Sequence, residues 1–184
     1  MTTTIRQKQA RRRRGRAVAY AVVTLAWALA VWLSAVLAPP DWLHGIALFV
    51  HLASLVVGLG AVLMIEWHAF LWATGWSTVR ELRQADRTMI LPVWAGLTGL
   101  LASGALLEPD LMSTPTQVKL VAVLVLTLNG VALTKWTSDL ARLPARTTFR
   151  GLPGRAKFGF VSSAVVSQAA WWTAVVIGLL NATG

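Results

Sequence analysis

The 184-residue chain contains no cysteine and three histidines, His44, His51 and His68, all inside the stretch HGIALFVHLASLVVGLGAVLMIEWH. Without thiols there are no disulfides, thiolate zinc sites, iron–sulfur clusters or cysteine nucleophiles. Any metal would be held by His, Met, carboxylate or the groups of a cofactor. Alternate steps of three and four residues through this stretch give His44, Ala47, His51, Ser54, Gly58, Ala61, Ile65 and His68, one stripe of a helix. The remaining faces are Leu, Val, Ile and Phe. Such a segment reads as a membrane helix whose small, polar side packs inward, because close helix contacts in hydrocarbon favour Ala, Ser and Gly and imidazoles avoid lipid.

Spacing limits what these imidazoles can do together. At 1.5 Å per residue His51 lies about 12 Å below one end of its helix and His68 about 25 Å further on, too far apart to share an ion. His44 and His51 are about 10 Å apart in projection, again beyond common coordination. A bis-histidine haem needs imidazoles on two helices, and here they lie on one. A haem would take His51 or His68 on one side and Lys, Met, Asn, water or a second protomer on the other. The structural alternative for His44 and His68 is interfacial hydrogen bonding. His51 lies deeper, where an ionisable group is costly and marks a functional candidate as ligand or proton carrier.

Other polar groups fall on neighbouring segments. Lys119, Ala122, Leu126, Asn129 and Trp136 form a second seam, in which Lys119 is either a snorkelling side chain or a partner at the level of His51. Asn129 and Gln168 each have a helix-tying reading beside a functional one. Glu66 is the only carboxylate within an apolar segment, and Arg80 or Arg83 would anchor it; a water-bridged proton path from His51 to Glu66 and His68 is the functional alternative.

The elements that must position these groups follow from hydropathy. The chain is 56% hydrophobic and 13% charged, with a mean hydropathy of +0.62, the composition of an all-α polytopic membrane protein. Residues 1–16 read as a basic, mobile cytoplasmic tail, and 17–184 as one transmembrane domain. Five spans of about 20 residues or more are expected over 17–38, 43–73, 89–107, 117–136 and 158–180, with helices 2–5 forming the bundle. An uncleaved first helix is preferred to a signal peptide, because its apolar run exceeds the about 7–15 residues of a signal core and is followed by Pro39-Pro40. Ala95, Gly99 and Ser103 make a small-residue ladder in the third span.

A net charge of +10 and the run Arg11-Arg12-Arg13-Arg14 would suit a nucleic-acid binder, but the charges sit at the ends of apolar segments on alternate sides. With this threading every Lys and Arg except Lys119 is cytoplasmic, as the positive-inside rule requires. The expected setting is a cytoplasmic membrane, with the N-terminus inside, the C-terminus outside and anionic lipid headgroups rather than nucleic acid at the basic face. The small-residue ladders would also serve homo- or hetero-oligomers.

Three pieces, HLASLVVGLG from His51, GLTGLLASG, and TPTQVKLVAVLVLTLNG with Lys119 and Asn129, occur in an order that resembles the membrane domain of the copper-resistance D (CopD) family. More distantly it resembles the HemJ-type protoporphyrinogen oxidases. The resembling part runs from about His51 to Arg142. Gly58 stands where the family tends to have Trp, Gly130 and Val131 where it has an arginine-containing segment, and Asn129 near the place of a HemJ-type histidine. The resemblance implies a helical bundle, a role in copper handling or transport, and His51, Lys119 and Asn129 as matched positions, with His51 as metal ligand. The rival expectations are a haem b redox protein using His51 and Lys119, and a non-catalytic subunit of a larger membrane complex.

Overall fold

The computed structural model describes residues 2–183, and helices are its only regular structure. They are α1 (Thr2–Val36), α2 (Asp41–Thr74), α3 (Val79–Gly104), α4 (Thr114–Leu140) and α5 (Gly154–Thr183), with a 3-10 turn at Phe149–Gly151. Four of them, α1, α2, α4 and α5, are long and apolar enough to cross a membrane. The outer surface is correspondingly greasy: Val56 and Leu91, for example, are 72% and 74% exposed. The chain is an all-α polytopic membrane protein.

Local chemistry sets the helix ends. After the prolines at 39 and 40, Asp41 occupies the first turn of α2, where its charge favours the exposed N–H groups. Gly75, at φ 88°, ends α2 in the left-handed conformation that glycine adopts without penalty, and Trp76 N–H returns to the Leu71 carbonyl at 2.8 Å. Thr78 then caps α3, accepting from Glu81 N–H at 3.4 Å while its hydroxyl donates to the Glu81 carboxylate at 3.2 Å. Ser113 caps α4 in the same manner through Thr116 N–H, with Pro115 in the first turn.

The principal packing units are two antiparallel hairpins, α2 with α3 and α4 with α5. In the first, Gly58 and Gly96 meet backbone to backbone. A methyl group on Gly96 would lie 2.5 Å from the Gly58 Cα and 2.8 Å from the Ser54 carbonyl oxygen. One step on, a methyl on Gly99 would overlap the Ser54 hydroxyl. The seam on α3 is thus Gly96, Gly99 and Ser103 rather than the ladder through Ala95, which is exposed. On α2 the anticipated stripe is the packed one: Ala47, Gly58 and Ala61 are buried, and His51, Ser54, Ile65 and His68 half-buried. His44 departs from it and is exposed, one turn from the helix start where no neighbour covers it.

The α3 helix starts earlier than its apolar run, since Val79 to Asp86 continues the same helix from the Thr78 cap. Its apolar half lies against α2 from Gly58 to His51 and so accompanies α2 through the same depth. The two hairpins join through large side chains. Trp171 on α5 is 1% exposed and packs with Leu97, Ala122, Leu126 and Ala170. At the other level Trp72 packs with Val79, Leu82, Leu140 and Leu152, and its indole N–H donates to the Thr147 carbonyl at 2.8 Å.

The α1 helix lies against α4 and α3, and Trp27 N–H donates to the Leu120 carbonyl at 3.0 Å. Its first four turns are the basic segment expected to be a tail. Instead of ending at residue 16, the helix runs back to Thr2, because Arg, Lys, Gln and Ala are good helix formers and Gly15 is the only breaker.

Candidate functional site

The end of the bundle carrying Asp41, Glu108 and Asp110 holds the pair that the sequence singled out. His51 projects from α2 toward the last turn of α3, where its Nδ1 meets the Ser103 hydroxyl at 3.0 Å. The Ser103 proton is already committed to the Gly99 carbonyl one turn back. With the hydroxyl in that orientation the imidazole donates Nδ1–H to Ser103 Oγ and keeps its lone pair on Nε2. Gly104 lies against the ring, and a methyl group there would stand 3.5 Å from the imidazole Cε1, an ordinary contact.

Lys119, in the second turn of α4, is the cation whose field reaches His51. Its ammonium lies against Gly178 of α5, about 3.9 Å from where a side chain would begin. Four helices thus contribute: α2 gives the imidazole, α3 orients it, α4 the ammonium, and α5 the gap it occupies.

Asn129 is not part of this group. Ten residues beyond Lys119, it is about 15 Å further along α4. Its amide donates to the Ser163 carbonyl and accepts from the Ser163 hydroxyl, both at 2.9 Å, a reciprocal clamp between α4 and α5. His68 is likewise spent locally, its Nδ1 lying 2.9 Å from the Met64 carbonyl on its own helix.

Glu66 does not pair with Arg80 or Arg83. It faces α5, where Gln168 donates to its carboxylate at 2.7 Å. Trp172 Nε1–H in turn donates to the Gln168 side-chain Oε1 at 2.9 Å, which orients the amide. Arg83 is engaged elsewhere, donating to the Leu143 carbonyl. Sequence reading had no access to this partner choice, because Gln168 and Glu66 are 102 residues apart and both were assigned only to their own helices.

Two groups escaped notice in the sequence. Ser103 was visible only as a small residue of a packing ladder, and its position as the acceptor for His51 had no separate signal. The indole N–H of Trp171 is buried with no hydrogen-bond partner among the described residues, in a ring that roofs Gly58. Among the described residues no group of three or more His, Cys, Asp or Glu is placed to hold a metal ion. Comparison with protein-family models, with curated proteins and with solved structures gives no match to the chain.

Proposed function

We propose that the protein is a cytoplasmic-membrane redox protein that carries haem b at the His51–Lys119 site, with the N-terminus in the cytosol and the C-terminus outside. The observation that carries this reading is the contact of His51 Nδ1 with the Ser103 hydroxyl, which is itself bonded to the Gly99 carbonyl. A metal-ligating imidazole characteristically donates its other ring N–H to a fixed acceptor, and the Ser103 hydroxyl, its own proton already spent, is such an acceptor. His51 Nε2 would hold the iron and Lys119 would neutralise a propionate. The haem supplies reversible one-electron chemistry. The chain's own residues orient the ligand, supply the compensating positive charge and keep the site among apolar helices.

Copper handling, which the family resemblance implies, has weaker support at the same residues. One imidazole beside an ammonium is an unfavourable place for a second cation in a medium of low dielectric constant. Assembly into a larger complex through the small-residue ladders is also less well supported, since Gly58, Gly96 and Gly99 are consumed in packing α2 on α3. Absorption spectra and metal analysis of detergent-purified protein, expressed with excess haem, separate these readings. The expected result is a Soret band present in the wild type and absent from His51→Ala. Copper without a Soret band would return the assignment to copper handling, and neither one would favour the non-catalytic subunit.

A further inference from the structure

At the opposite, basic end, the first turns of α3 carry a cleft of about 410 Å³ that the His51 site does not use, lined by Arg80, Arg83, Gln84, Arg87 and Thr88. The arginines follow at steps of three and four residues, so two turns of α3 present three guanidinium groups on one face. No carboxylate lines the cleft; the nearby acids are Glu81, held by the Thr78 cap, and Asp86, half-buried beside Arg87. Arg83 is pinned by its bond to the Leu143 carbonyl, yet its Nε is buried and has no hydrogen-bond partner. Three guanidinium groups on one helix face with no carboxylate between them repel one another, and an anion in the cleft would offset that repulsion.

The depth of the cleft identifies the anion. In the α2–α3 register set by Gly58 with Gly96 and His51 with Ser103, the three arginines lie beside the last turns of α2. There Trp67 stacks on Phe70 at 5.8 Å, and Trp76 at the turn is 85% exposed, the arrangement of aromatic rings at headgroup level. We propose that Arg80, Arg83 and Arg87 bind the phosphate of an anionic phospholipid in this leaflet, with Gln84 and Thr88 facing the rest of the headgroup. Guanidinium groups suit this ligand because they grip phosphate oxygens in pairs, and basic pockets at the cytoplasmic ends of helices are where headgroups are held.

Native mass spectrometry of the full chain, delipidated and offered equal phosphatidylglycerol and phosphatidylcholine, tests the site. The wild type should retain phosphatidylglycerol preferentially, and R80Q/R87Q should lose that preference by about fivefold per arginine removed. This variant spares the Arg83–Leu143 bond. R142Q/R146Q, with the same loss of charge in the neighbouring loop, should keep the preference; an equal loss there would show diffuse attraction and overturn the site. R80K/R87K, which keeps charge but not paired hydrogen bonding, should fall between wild type and R80Q/R87Q; retention at the wild-type level in both double variants would also overturn it. Displacement of the lipid by millimolar inorganic phosphate would assign the cleft to a free anion instead.

Discussion

The arrangement at His51 is decided by a single proton. Because the Ser103 hydroxyl donates to its own helix, it can serve the imidazole only as an acceptor, and the ring presents Nε2 as its basic nitrogen. Ser103→Ala should therefore leave the helices intact and weaken haem retention by about 10–100-fold, the usual effect of removing the partner of a ligating histidine. Haem titration of the purified variant measures this, and Ser103→Thr, which keeps the hydroxyl, should restore much of it. Asn129 offers the contrast. Asn129→Ala should cost about 0.6–1.7 kcal/mol, the range for a hydrogen bond between membrane helices, in unfolding measured in bicelles, with the absorption spectrum unchanged. A spectral change in that variant would mean that the clamp with Ser163 is not its whole role.

At the scale of elements, the α2–α3 hairpin is the platform on which the imidazole and its acceptor meet. Its closeness depends on glycine at 96, where a side chain would strike backbone atoms of α2 that cannot move aside. Gly96→Ala should lower stability by about 1–3 kcal/mol, as overpacking does, and weaken haem binding with it. Gly60→Ala, on α2 with nothing within 4 Å, should be neutral or slightly stabilising when both variants are compared by thermal unfolding. The stripe on α2 was legible in the sequence because three- and four-residue steps are a property of one helix. The α3 seam was less so, since Ala95 and Gly96 are both small and only the rotation of the helix selects between them. The partners of Glu66 and Asn129 were illegible for a related reason: each lies on another helix, and the choice between an arginine on α3 and Gln168 on α5 depends on how the hairpins dock.

For the molecule as a whole, the charge pattern and the two hairpins agree on a bundle whose ends differ in chemistry. Sixteen of the 17 Lys and Arg fall at or beyond the ends of the apolar segments on one side of the threading, and Lys119 alone stands near the other. Reporter fusions should place the 141–153 loop in the cytosol and the C-terminus outside, as the positive-inside rule requires; a cytosolic C-terminus would reverse the His51 site to the inner leaflet. The number of helices was readable from hydropathy, whereas the early starts of α1 and α3 were hidden because polar, basic sequence suits a solvated helix and a tail or loop equally. The most direct test of the central claim is to empty the ligand position and refill it. In His51→Gly the Soret band should be lost, and added imidazole should restore it with the wild-type line shape. A His51→Gly protein that keeps its haem spectrum unchanged, or a wild type that takes up no haem, would contradict the account.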